Sequence, residues 1–228
     1  MNAYKGVLDV FDLGADVRYM QCLALQERLV DLRRCGRIPD TLLMLEHHPT
    51  ITIGRSGGRE DLLSNVHELQ RLGIELCEAN RGGRAMLHIP GQVVGYLILN
   101  LREHHCDVRW YVRMVEKALI HTLARWGINA VRMEHFPGVW VHLHEGWRKI
   151  GFIGVHVRHW ITMHGFALNV CVNSQLFHLL KPCGFEPNII TDMASVRSMS
   201  LDINEVKCAL AECIATAFNL MPILRKCA

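Results

Sequence analysis

The sequence lacks any apolar run long enough to cross a membrane. Its longest uncharged stretch, AMLHIPGQVVGYLILNL (85–101), is broken by a proline, glycines, a glutamine and a histidine, so no transmembrane helix is expected. The N-terminal MNAYKGVLDVFDLGADVR carries charge throughout and has no apolar segment of signal-peptide length. There is no CxxC pair, and the cysteine count of 9 is odd, so at least one thiol stays unpaired in a monomer. These features predict a reduced, soluble, cytoplasmic protein without a membrane partner. Neither G-x-x-x-x-G-K-S/T nor G-x-G-x-x-G occurs, which argues against a phosphate-cradling loop. The 14 histidines include close sets at His47-His48, His104-His105-Cys106, His142-x-His144 and His156-x-x-His159. None pairs with a second cluster at zinc-site spacing and HExxH is missing, so neither metal nor cofactor is expected. A net charge of +3 is too small to imply nucleic acid.

What is present is a core. Half of the 228 residues are hydrophobic, and no linker, repeat or low-complexity segment divides them, so one domain over residues 1–228 is expected. Helices are predicted from a cap at Asp16 to Cys35, over 61–72 with Leu62, Val66, Leu69 and Leu72 inward, and from Asp107 to Gly127. In the last, Val108, Tyr111, Val112, Val115, Leu119, Leu123 and Trp126 form the apolar stripe, with Arg109, Arg113, Glu116, Lys117 and Arg125 facing water. DINE (202–205) opens a further helix as a capping box. Strand-like runs lie at 7–13, 41–47, 50–54, 92–101, 138–143, 149–157 and 164–172. Short links such as His48-Pro49 and 144–148 suit antiparallel neighbours, not βαβ crossovers. The class is α+β.

Four glycine-rich polar segments look unlike core: RGGRAMLHIPGQVVGY (81–96), KIGFIGVHV (149–157), HGFALNV (164–170) and PCG (182–184). Glycine inside a strand often marks close approach by a ligand or another backbone. Cys183 stands between Pro182, which fixes φ, and Gly184, which frees it, so the turn is rigid and presents a side chain. Taken singly, each segment reads equally as a bulge or turn, and Cys183 as an incidental loop cysteine. Together they bring a lysine, histidines and a thiol to one constellation, which points to acyl transfer. A free thiol near pKa 8.5 is a few per cent ionised at neutral pH. A neighbouring ammonium favours the thiolate, and glycine amides can hold a thioester's developing oxyanion.

These segments, with LEHHPTITIGR (45–55), YVRMVEKALI (111–120), PGVWV (137–141) and ITDM (190–193), resemble the octanoyltransferases of lipoate biosynthesis over nearly the whole chain. The resemblance implies a fold like the biotin and lipoate protein ligases, a mixed, largely antiparallel sheet flanked by helices. It implies an octanoyl-acyl carrier protein donor. The implied acceptors are lipoyl domains such as the glycine-cleavage H protein and the E2 subunits of 2-oxoacid dehydrogenases. Cys183 matches the family's acyl-carrying cysteine, Lys149 its lysine that lowers the thiol pKa or relays protons, and His88 its loop histidine, so the resemblance implies Cys183, Lys149 and His88 as catalytic residues. The acyl-binding segments correspond to Arg81, Gly82, Gly83, Arg84, Ala85, Met86, Leu87 and His88, then Phe152, Ile153 and Gly154, then Gly165, Phe166 and Ala167.

The chain departs from the family pattern at Arg84 to Ile89, where a threonine, an aromatic and a glycine give way to aliphatic groups. It departs again at Leu97 and Asn100. Ile89 is expected to narrow the acyl channel. Two rival readings remain: an ATP-dependent lipoate or biotin ligase, and a non-catalytic acyl- or lipoyl-domain-binding relative. Lys149 does not separate the ligase from the transferase; Cys183 does, because adenylation needs no thiol. Arg55, Arg59, Arg84 and Arg148 lie near the motifs and are expected to attract an acidic carrier.

Overall fold

The structure is a computed structural model that describes residues 4–225; the remainder of the expected 1–228 domain, with Cys227, lies outside the described residues. In chain order the elements are β1 (Gly6–Asp12), α1 (Tyr19–Arg34), β2 (Asp40–Leu45), β3 (Thr50–Ile53), α2 (Val66–Arg71), β4 (Glu75–Glu78), β5 (Ala85–His88) and β6 (Gln92–Ile98). They continue with α3 (Val108–Ala124), β7 (Ala130–Met133), β8 (Phe136–Leu143), β9 (Gly146–Arg158), β10 (Ile161–Asn169), α4 (Met193–Arg197), α5 (Ile203–Phe218) and β11 (Leu220–Arg225). A sheet of eight strands runs β11-β1-β2-β6-β10-β9-β8-β7, and a sheet of three runs β4-β3-β5.

The α+β class holds, with corrections to the connections. β1 pairs in parallel with both β11 and β2, so α1 is a crossover helix in a β-α-β unit that short-link reasoning excludes. His48-Pro49 does not close a hairpin, because β2 and β3 belong to different sheets. His47 bridges to Val17 and the chain turns there from one layer to the next. The link at 144–148 is a true hairpin, with Leu143 paired to Gly146, whose φ of +106° suits glycine.

Two helix starts also differ. Asp16 does not cap α1: it has φ +59° and pairs with His48 Nδ1 at 2.7 Å, while Arg18 occupies the cap position without a side-chain capping bond, its guanidinium pairing instead with Glu75. The helix expected over 61–72 begins later, because Asn65 Oδ1 accepts from the Glu68 amide at 2.9 Å and starts α2 at Val66. Leu62 bridges to Leu180, Leu69 is buried, and Val66 and Leu72 are exposed. Asp107 and Asp202 cap α3 and α5. Within α3, Val108 proves exposed and Glu116, expected in water, is buried.

The core lies on both faces of the large sheet. Val93 and Leu97 of β6 join α3 and α5 in one cluster; Val94 and Tyr96 join β5 and Leu45 in the other. This is the two-residue alternation of a strand buried on both sides. Among the described residues no helix is long and apolar enough to cross a membrane.

Candidate active site

Lys149 enters β9 at an irregularity: Trp140 pairs with Lys149 but Val139 pairs with Gly151, leaving Ile150 as an extra residue. Such a bulge re-aims a neighbouring side chain. Lys149 is 3% exposed. Its Nζ donates to the Pro137 carbonyl at 2.8 Å and lies 4.9 Å from the Trp140 ring centroid, 5.5 Å from Phe152 and 5.4 Å from Phe185. The rings offer their negative faces to the ammonium. Gly138 makes the approach possible: with φ +116°, a Cβ there would stand 2.9 Å from Lys149 Cε and 2.5 Å from the Gly151 carbonyl. Burial pushes the Lys149 pKa down, while negative charge on Cys183 or Glu116 pushes it up. Glu116 Oε1 accepts the Gly138 amide at 3.0 Å.

Cys183 occupies a single turn, Pro182–Gly184, with φ +54° and ψ +23°. That left-handed conformation is uncommon for a non-glycine residue and is held here from both sides. The Gly184 amide donates to Lys181 and the Phe185 amide to Pro182. The Lys181 amide donates to the Asp61 carbonyl at 2.7 Å. Gly184, also left-handed, leaves no room for a Cβ beside Arg84. The turn exposes the thiol to a pocket and sends Phe185 over Lys149. A bulge and a tight turn far apart in the chain thus bring the Cys183 thiol and Lys149 within electrostatic reach of one another, with Phe185, two residues after the thiol, against the Lys149 Nζ.

The pocket wall contains Arg81, Gly82, Gly83, Met86 and His88 from the first expected segment, and Phe152, Ile153 and Gly154 from β9. Gly165, Phe166 and Ala167 of β10 join them, with Cys183 at the same wall. Arg84, Ala85 and Leu87 do not. Arg84 turns outward to Asp61, at 2.9 and 2.5 Å. Ala85 and Leu87 are fully buried in the core on the opposite face of β5 from Met86 and His88. Ile89 follows the same alternation: it is 1% exposed and packed in that core, so it does not narrow the channel. Met86 does line it.

Arg81 is buried beside the pocket without a carboxylate partner among the described residues. Its Nη1 donates to the carbonyls of Gly82 (3.0 Å) and Arg84 (2.9 Å), and its Nη2 to the Thr52 carbonyl (2.8 Å) and hydroxyl (2.7 Å). Burial pushes its pKa down and a thiolate at Cys183 would push it up.

Sequence reasoning gave no role to Tyr19 or Tyr96, which line this pocket with His164, or to His47, which bonds to the Tyr96 hydroxyl. The His47 Nδ1–H donates to the Val17 carbonyl at 2.7 Å, so Nε2 accepts from the Tyr96 hydroxyl at 2.7 Å. Gln92 gives its amide hydrogens to Leu87 and Asn169, so its oxygen accepts from His88 Nδ1–H at 2.8 Å. Asn169 then donates to the Thr191 carbonyl at 3.0 Å. His164 accepts strain (φ +58°), donates its amide to Gln26 Oε1 at 2.7 Å and places Nε2 2.6 Å from Asn80 Oδ1. Burial pushes His47 down to about 4 and His164 down to about 3, holds His88 well below its ordinary value, and raises Tyr19 to about 12. All three rings are therefore neutral at pH 7. Among the described residues the Tyr19 hydroxyl and His164 Nδ1 have no hydrogen-bond partner.

Residues 18–215 match the family model of the lipoyl protein ligase A/B catalytic domain. An octanoyltransferase of Myxococcus xanthus is 43% identical over 93% of this chain, which spans about 60% of that relative's length. One from Solibacter usitatus is 46% identical, over 79% of this chain and 80% of the relative. One from Clostridium kluyveri is 40% identical, over 83% and 79%. In fold, the chain is similar to a bi-partite lipoate protein ligase of Thermoplasma acidophilum (TM-score 0.78, 17% identity, 98% of this chain and 88% of that one). It is also similar to the biotin protein ligase of Aquifex aeolicus (TM-score 0.52, 12% identity, 92% and 68%).

Proposed function

The chain belongs to the lipoyl protein ligase A/B catalytic domain family and groups with its octanoyltransferases, and from that premise we propose that residues 1–228 act as one catalytic domain transferring an octanoyl group to lipoyl domains. The observation that carries the reading is the left-handed Cys183 turn opening onto an apolar pocket, with the Lys149 ammonium buried beside it.

The Cys183 thiolate attacks the thioester carbonyl of octanoyl-acyl carrier protein. The carbon–sulfur bond to the carrier breaks, and the carrier leaves as a thiol after taking a proton. The acyl group then sits on Cys183 as a thioester, so its activation is conserved and no nucleotide is consumed. The ε-amine of a lipoyl-domain lysine attacks next. An amide forms, the amine's proton is released, and Cys183 returns as thiolate. Lys149 favours that thiolate by charge. Phe152, Phe166 and Met86 receive the alkyl chain, and burying its methylenes contributes about 0.8 kcal/mol each. His88, neutral and fixed by Gln92, faces the same pocket with Nε2 free of a strong donor, and acts as a polar positioning group for the thioester end. The two steps require no metal, and both substrates are proteins of the cytoplasm.

The deciding experiment is intact-mass analysis after incubation with octanoyl-acyl carrier protein in the absence of ATP. One octanoyl adduct on native protein and none on Cys183→Ala is expected. An adduct on another cysteine, or a requirement for ATP with free octanoate, overturns the reading in favour of the ligase.

A further inference from the structure

The Pro137 carbonyl and the Gly138 N–H belong to one peptide group. Its oxygen accepts from Lys149 Nζ at 2.8 Å, and its N–H donates to Glu116 Oε1 at 3.0 Å. We infer that Glu116 is a positioning residue for the transfer reaction, acting through this single amide to hold Lys149 in place and to favour its charged form beside Cys183. This inference rests on the transferase reading for its meaning, but not for its test.

The amide is planar and rigid, so fixing its N–H fixes the direction of its oxygen. A carboxylate at one end and an ammonium at the other polarise the group in the same sense, and hydrogen bonds in such a chain strengthen one another. Gly138 keeps the backbone at φ +116° where the lysine stem lies against it. Glu116 itself is only 4% exposed, on a helix whose neighbouring buried positions are Val115 and Leu119. A lone buried amide N–H could be satisfied by any neutral acceptor. A buried carboxylate is costly unless a cation benefits from it.

The charged groups facing each end support this account. Lys149 on β9 feels the charge of Cys183 and Glu116. Glu116 meets Arg113 of its own helix, Arg132 of β7 and Lys149. Burial raises the Glu116 pKa, and the Gly138 amide and these cations offset only part of that rise.

The test uses the full chain labelled with carbon-13 at the lysine ε position. The Lys149 signal is assigned by its loss in Lys149→Met, and its pH titration is followed by NMR. Two replacements remove the charge: Glu116→Gln keeps an oxygen for Gly138, and Glu116→Met is apolar. Whichever folds should lower the Lys149 pKa by about one unit and move the alkaline fall in transfer rate by the same amount. Glu116→Asp keeps the charge and should leave the Lys149 titration closer to native than either. A Lys149 titration unchanged in a folded charge-removing variant overturns the inference. So does an equal fall in Glu116→Asp, which would assign the effect to packing. The titration needs no acyl transfer, so failure of native protein to form a Cys183 adduct bears on the transferase reading alone.

Discussion

Two buried cations flank the pocket, and they are held in opposite ways. Arg81 makes four hydrogen bonds, to Gly82, Arg84 and both oxygens of Thr52. Among the described residues Lys149 makes one, to Pro137, and otherwise rests among aromatic rings. A guanidinium with its donors engaged is a structural knot, and here it ties β3 to the glycine loop. An ammonium with donors to spare, in a desolvated place, is poised to act on a neighbour. On the proposed mechanism, the difference separates a residue that shapes this pocket from one that acts on its thiol.

The largest expected effect breaks the comparison on the lysine side. Lys149→Met should lower kcat/KM for transfer by about 10²–10⁴-fold with the fold retained at a cost of about 1–3 kcal/mol, since the buried Pro137 carbonyl loses its donor. Activity near the native level in a folded Lys149→Met would make the two cations equivalent after all. Arg81→Lys probes the other side. One ammonium cannot reach four acceptors, and stability to urea should fall by about 2–4 kcal/mol, with a smaller loss of rate than in Lys149→Met. A variant that unfolds like native protein but transfers more slowly than Lys149→Met would reverse the assignment.

The histidines beside Arg81 sharpen the contrast through pH. His47 and His164 have folded pKa values of about 4 and about 3, below the ordinary 6.5. Between these values the unfolded chain binds protons that the folded chain refuses, so stability falls as pH falls. Each histidine contributes a slope of up to about 1.4 kcal/mol per pH unit from about pH 6.5 down towards its folded value. Urea unfolding at pH 7.5, 6.0 and 5.0 measures it, and His47→Gln should flatten it; a slope unaltered by that substitution would refute the neutral-wall account. The smallest effect lies behind that wall. Ile89→Val should cost about 0.5–1.5 kcal/mol and leave acyl-length preference alone, whereas Met86→Ala should extend it to longer chains.

The reasons for success and failure at the level of sequence are visible in these same residues. α3 and α5 were legible because an aspartate cap precedes each apolar stripe. Cys183 and Lys149 stand out in the sequence because glycine and proline mark their backbones, and the mass and titration experiments test whether they act together. Glu116 was not, since its neighbour across space is an amide of β8 that no helical period reports. His47, Tyr96 and His164 meet only when β2, β6 and β10 pair, as Leu43 with Tyr96 and Tyr96 with Gly165. The β11 run LMPILR carries Pro222, which argues against a central strand but is tolerated at the sheet edge it occupies. The alternation along β5, which turns Met86 and His88 towards the pocket and Ala85, Leu87 and Ile89 away, is hidden because all these positions are buried.

The parallel pairing of β1 with β11, Gly6 beside Leu220, has a consequence for synthesis. A ribosome releases β1 well before β11, one of its two neighbours. Until then β1 presents an unpaired edge of amides and carbonyls, the kind of template that invites foreign strands. The pairing also joins the two described strands farthest apart in sequence, and contacts so distant form slowly. Refolding of the intact chain should therefore be slower and more prone to clumping than its helix content suggests. A chaperone that shields the first strand would be of most use during translation, before any acyl group is met.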